Sequence, residues 1–258
     1  MLPKFPSRPK RGREWVGSRF CLTREELVAT LSPMPRRLRQ AAGGYVYHVL
    51  NRAVATVFKK AGDYMAFRKI MIEAQDWLDV PVLGYYLMPN HWHLVLWPKN
   101  DGDLSEYMRW LTVTHTQRYR AHYHTQGTGP VYQGRFKAFP IAEDEHLLKV
   151  LRYVERNPLR AGMVSSAVHW CWSSLGQVYQ HLPGPELLEG PIAKPSDWLT
   201  WVDGVETEAE LAALRRSVVR GCPYGAESWQ KETAERLGLH ATMRPLGRPR
   251  LSEDDADS

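Results

Sequence analysis

Two histidines separated by one residue, in Met88-Pro-Asn-His91-Trp-His93-Leu-Val-Leu96, are the first group able to do chemistry. On a strand, residues i and i+2 project from one face. His91 and His93 can therefore converge on one metal ion while Trp92 points the other way. Neutral imidazole is the commonest protein metal ligand. The bland alternative is a pair of half-exposed histidines on an edge strand.

The second group is Tyr153-Val-Glu-Arg-Asn157-Pro158. Tyr153 and Asn157 are four apart and share a helix face. The apolar face of that helix runs through Leu147, Leu151 and Val154, which leaves the tyrosine on an exposed face beside a polar amide. The Asn157 amide oxygen is a candidate third ligand, suited to Mg²⁺ or Mn²⁺; alternatively Asn157 only ends the helix before Pro158. Together the groups imply phosphodiester chemistry. A divalent ion withdraws charge from a scissile phosphate and orients it. A tyrosine activated by nearby positive charge or a base can then attack, storing the bond energy in a phosphotyrosine. Tyr119, Tyr123 and Tyr132 are rivals in principle, with base stacking or packing as their simpler role.

The elements that must position these groups follow from periodicity. Residues 45–50 alternate as a strand, and 63–77 read as a helix. Residues 80–87 and 91–97 are strands flanking the Pro89-Asn90 turn. Residues 104–122 form a long helix, 136–141 a short strand, and 143–157 a helix stopped by Pro158. The order β-α-β-β-α-β-α predicts an α+β fold: a ferredoxin-like or RRM-like antiparallel four-stranded sheet, helices on one face, the other free for a ligand, plus a small helical C-terminal extension. Within that extension, Thr207 and Glu210 form a capping box opening a helix to Val219, and a second helix spans residues 228–237.

At these residues the chain resembles the HUH single-tyrosine transposases, and within them the REP-associated tyrosine transposases, a domesticated bacterial branch. Further matching segments are Met34-Pro-Arg-Arg37, Gly134-Arg135-Phe136-Lys137, Asn157-Pro-Leu-Arg-Ala-Gly162 and Trp172-Ser-Ser174. The resemblance covers about residues 34–180. It implies His91, His93 and Asn157 as metal ligands and Tyr153 as nucleophile. It also implies a 5′-phosphotyrosine intermediate with a free 3′-hydroxyl, and single-stranded hairpin DNA as substrate. A replication initiator or relaxase of the same HUH class, or a non-catalytic single-strand binder, are the alternatives. Relatives exist as monomers and as homodimers.

Composition agrees without deciding. The 258 residues carry a net charge of +6 with 43% hydrophobic content, an ordinary globular balance tilted toward an acidic partner. Ten of the basic residues against three acidic ones fall in residues 1–40. Residues 1–33 read as a flexible basic arm or an over-called N-terminus. Residues 109–137 carry Arg109, Arg118, Arg120, Arg135 and Lys137 with no acid. With Tyr119 interleaved they form the expected DNA track, the alternative being a solvated helix face. Pro183, Pro185, Pro191 and Pro195 mark residues 181–204 as a linker, and residues 205–250 read as a helical DNA-binding-like unit or a packing appendage. Arg248 and Arg250, in Gly247-Arg-Pro-Arg250, resemble a minor-groove hook, or a basic tail. Residues 251–258 form an acidic tail. Three scattered cysteines imply neither a disulfide framework nor a zinc ribbon, and no apolar run approaches a membrane span. A cytoplasmic, nucleoid-associated protein is the expectation.

Overall fold

A computed structural model describes residues 41–244. The arm 1–33 and the hook residues Arg248 and Arg250 lie outside the described residues. Four strands, β1 (Val46–Arg52), β2 (Val82–Met88), β3 (His91–Leu96) and β4 (Lys137–Ile141), form one sheet in the order β2-β3-β1-β4. Every neighbouring pair is antiparallel. This is the split βαβ order expected, and it places β3 in the interior of the sheet, not at an edge. His91 and His93 are therefore held by ladders on both sides, with Leu50 and Tyr86 flanking His93 in register.

The helices α1 (Ala61–Trp77) and α2 (Asp103–Tyr123) cover one face. Alternation along the strands sends Tyr47, Val49, Trp92 and Leu94 into that layer, where they pack with Phe67, Ile70, Met108 and Leu111. Burying such side chains stabilises the fold by about 1.5–3 kcal/mol each. The second face was expected to be bare. It carries α3 (Glu145–Arg160), whose Leu147, Val150, Leu151 and Val154 pack on Val46, Val95, Phe139 and Ile141. Gly84 on β2 permits this approach: a Cβ there would stand 2.8 Å from Leu151 Cδ2. Asp144 caps α3 by accepting from the His146 N–H at 2.8 Å.

Pro158 does not end α3, which continues to Arg160. The proline removes one bond of the ladder, the one residue 158 would give to the carbonyl of residue 154, and the helix is carried past it by the bonds that follow. The last turn still closes, with Ala161 N–H donating to Asn157 O at 3.0 Å.

Residues 181–204, expected as a linker, pack against this layer. They contain α5 (Trp198–Asp203), which follows the short α4 (Ser174–Tyr179). Glu155 of α3 is fully buried and accepts from Trp198 Nε1 (2.7 Å), Ser174 Oγ (2.9 Å) and Lys194 Nζ (3.0 Å). The prolines signal irregular backbone, but Trp198 supplies enough apolar surface to dock it. The helices α6 (Glu208–Arg220) and α7 (Glu227–Arg236) follow, and the Thr207–Glu210 capping box opens α6 as expected. A last turn of helix, α8, spans His240–Met243.

His115 of α2 is buried, and its Nδ1 lies 2.6 Å from Tyr132 Oη, which itself accepts from Trp92 Nε1 at 3.1 Å. Burial lowers its pKa to about 4. The depressed folded value means its contribution is fully present above the unfolded value of about 6.5 and is lost as pH falls toward 4. Denaturant melts at pH 8 and pH 5 should show His115→Phe losing about 2 kcal/mol less than wild type across that interval.

Candidate active site

The α3-covered face brings Tyr153 of α3 beside His93 of β3, with His91 next to His93. His93 is buried and His91 half-buried, both on β3. Tyr153 lies at the edge of the buried face of α3, 8% exposed. Its expected position on an exposed helix face is corrected: α3 is sandwiched between the sheet and the C-terminal elements, so a second side of the helix is buried. The Tyr153 ring stands 6.3 Å, centroid to centroid, from His93. It stands the same distance from His48 of β1. The phenol and the histidines thus meet within one chain. Asn157, one turn further along α3, is half-buried.

His48 was not singled out from the sequence. Its signal was a polar residue between Val46 and Leu50, on what otherwise reads as an apolar side of a strand. It is fully buried, and its Nε2 lies 2.7 Å from His93 Nδ1. Asn90 Oδ1 lies 2.8 Å from His91 Nδ1. An amide oxygen can only accept, so His91 Nδ1 carries the hydrogen and Nε2 presents its lone pair. If His93 Nδ1 likewise donates to His48 Nε2, His93 Nε2 is freed as well. That tautomer leaves the hydrogen of His48 on Nδ1, a buried atom with no partner among the described residues. Hydrogen-bonding the far ring nitrogen is how proteins orient histidine ligands.

Burial pushes the His48 pKa down to about 3. Burial, and secondarily Arg52, push His91 down to about 4. His93 is driven well below its usual value by burial and then by His48, His91 and Arg160. All three rings are neutral at pH 7, the state in which imidazole binds metal. Among the described residues there is no group of three or more His, Cys, Asp or Glu side chains able to hold an ion. The two β3 imidazoles, both neutral, are the donors that stand together here. Neutral imidazole is a donor that a divalent ion accepts.

Tyr153 is surrounded by charge. The Arg160 guanidinium sits 4.2 Å from its ring centroid. Burial raises the phenol pKa, while Arg160 and then Arg215 lower it and Glu206 raises it. The rival tyrosines have other partners. Tyr132 is buried behind the sheet on Trp92 and His115. Tyr123 donates to the Asp63 carboxylate, and partial burial together with that bond places it at about 12. Tyr86 stacks on His93 at 4.7 Å but is fully buried, which raises its pKa far above the ordinary value.

The expected DNA track divides. Arg109, Arg118, Tyr119 and Arg120 lie on α2, on the face opposite Tyr153. Arg109 is exposed. Arg118 pairs with Glu73 at 2.6 Å, Arg120 bonds the Gly129 carbonyl, and Tyr119 packs on Tyr123. The chain then returns beside the end of β1, where Gln133 N–H donates to Arg52 O at 2.9 Å. That return brings exposed Arg135 and Lys137 toward the site. Lys137 pairs with Leu50, and Arg52 with His91, so Lys137 and Arg52 share the histidine side of the sheet. Arg52, also exposed, escaped the sequence reading because it stands alone at a strand end.

Among the described residues no helix is long and apolar enough to cross a membrane. No curated protein matches the chain. One solved structure, described as the REP-associated tyrosine transposase bound to a REP hairpin, aligns with a TM-score of 0.46 and 17% identity over 62% of this chain and 93% of that one. The family model described as "Transposase IS200 like" matches residues 44–157, from the start of β1 through both histidines to Tyr153 and Asn157. Over that stretch, a little under half of its length, the chain is similar to the IS200-like transposase family.

Proposed function

We propose that this protein is a metal-dependent transposase that cuts and rejoins single-stranded hairpin DNA of the REP type through Tyr153. The observation that carries this reading is the approach of the Tyr153 ring to the His91–His93 strand inside a family-matched domain. His91, His93 and Asn157 would hold a divalent ion, Mg²⁺ or Mn²⁺, which would supply charge withdrawal at the scissile phosphate. Tyr153 Oη attacks phosphorus, the bond to the 3′-oxygen breaks, and that oxygen takes a proton to become a 3′-hydroxyl. The phenol proton leaves to solvent or a nearby base. Rejoining reverses the sequence: an incoming 3′-hydroxyl attacks the 5′-phosphotyrosine and the phenolate departs. Arg160 favours the phenolate at both stages. A non-catalytic binder on an open RRM-like sheet is disfavoured, because α3 covers the face on which bases would stack.

The test is incubation of the full chain with a labelled hairpin oligonucleotide, with and without Mn²⁺. A covalent adduct mapped to Tyr153 is the expected result; a cut strand with no protein attached would point to a hydrolase. Arg52 and Lys137, exposed beside the histidines, are positioned to neutralise phosphates. Lys137→Ala should weaken hairpin binding for every sequence alike and reduce the slope of log K against log salt by about 0.7–0.9. A titration from low to moderate salt checks this, and an unchanged slope would remove Lys137 from the interface.

A further inference from the structure

The segment joining α5 to α6 lies outside the family-matched stretch, yet its polar groups face α3. Arg152, Arg156 and Arg160 are spaced four apart and form a ridge along that helix. Arg152 donates to Gly204 O at 2.9 Å and Val205 O at 3.1 Å. Arg156 donates to Val202 O at 3.1 Å and Asp203 O at 2.6 Å. The Glu206 side chain is 5% exposed, with one carboxylate oxygen 2.8 Å from Arg160 Nη1 and 3.4 Å from Arg156 Nε. The other end of the Arg160 guanidinium donates to Tyr153 O at 3.2 Å, and its plane lies over the Tyr153 ring.

We propose that Glu206 is a positioning residue for strand cleavage: its buried carboxylate fixes the Arg160 guanidinium over Tyr153, so that a segment beyond the matched domain completes the active site. This rests on the reading of Tyr153 as nucleophile. An arginine carries about 2 kcal/mol of rotamer entropy, and among the described residues the tip of this one is bonded on the α3 side only by the Tyr153 carbonyl. A planar fork bonded at both ends stays in place; a fork bonded at one end swings into solvent. The remaining groups about the phenol cannot substitute. His48 and His93 are neutral, Tyr86 is buried and protonated, and Arg215 of α6 is paired with Glu208 at 3.1 Å. Removing Glu206 takes away a negative charge that by itself disfavours the phenolate. Slower cleavage in its absence therefore cannot come from the lost charge itself, and the Arg160→Ala background decides whether the loss runs through Arg160.

The experiment is a double-mutant cycle on single-turnover cleavage of a labelled hairpin by the full chain. Arg160→Ala should slow cleavage about 100-fold and Glu206→Ala about 10-fold or more, whereas Glu206→Ala in the Arg160→Ala background should cost nothing further. Glu206→Gln, which keeps an acceptor for the guanidinium, should recover part of the rate. Hairpin affinity, measured in the Tyr153→Phe background, should be unchanged by Glu206→Ala. Equal costs of Glu206→Ala in both backgrounds, or an affinity loss matching the rate loss, would overturn the proposal, since a mere staple between helices behaves that way. A second readout is independent of catalysis. The ¹⁵Nε–Hε signal of Arg160, assigned by its absence in Arg160→Lys, should shift to a solvent-exchanging position in Glu206→Ala. An unmoved signal refutes the positioning role. A moved signal in a protein that forms no adduct upholds the hold of Glu206 on Arg160 while refuting the nucleophile reading, and with it the role in cleavage.

Discussion

Tyr153→Phe is expected to abolish the covalent protein–DNA adduct and to lower strand cleavage by more than about a thousandfold, roughly 4 kcal/mol or more of transition-state stabilisation. The change removes one oxygen and leaves the ring, so packing against His48 and His93 is kept. Among the described residues the Tyr153 hydroxyl makes no hydrogen bond that would be lost, and stability should move by less than about 1 kcal/mol. Hairpin binding should be retained, because Arg52, Lys137 and the sheet are untouched. The comparison isolates the nucleophile: gel-resolved adduct and cleaved strand are measured for both proteins at equal bound fraction. Cleavage by the phenylalanine variant at the wild-type rate would refute the assignment. Tyr86 is not expected to take over, since it is buried beneath His93 with its pKa raised far above the ordinary value.

The second large effect is expected at the paired imidazoles. His91→Ala should reduce metal-dependent cleavage by about 10²–10³-fold and weaken Mn²⁺ binding, with little change in stability, because His91 is half-buried and its side chain bonds, among the described residues, only the neighbouring Asn90. His93→Ala should show the same loss of activity together with a stability loss of about 1–3 kcal/mol, since it strands His48 Nε2 inside the protein and leaves a cavity. Chelation of the wild type should reproduce the activity loss alone, reversibly. Mn²⁺ titration followed by calorimetry, alongside thermal melts, separates the variants. If His91→Ala bound Mn²⁺ as tightly as wild type, the ion would have to sit elsewhere.

What could be read along the chain was what depends on near neighbours. Alternation placed His91 and His93 on one side of a strand and Trp92 on the other, because the pleat forces that separation whatever the surroundings. The α6 capping box at Thr207 and Glu210 and the β-α-β-β-α-β order were legible for the same reason: both are set by groups a few residues apart. Tyr153 and Asn157 could be placed one turn apart, but not on a buried face. Burial of that face depends on the second layer, formed when Trp198 and the segment through Glu206 fold back over α3 from about fifty residues away. Pro158 misled because a proline removes one bond of the ladder without by itself fixing where the helix ends, and α3 runs two residues past it. Arg160 was thereby lost from the helix, and with it the cation over the phenol. His48 was hidden because a histidine on a strand signals nothing until the β1–β3 register sets its Nε2 against His93. Local sterics and hydrogen bonding write the elements into the sequence. The active site, by contrast, is made of contacts between distant residues, whose partners are chosen only when apolar faces are driven together and buried polar groups must find one another.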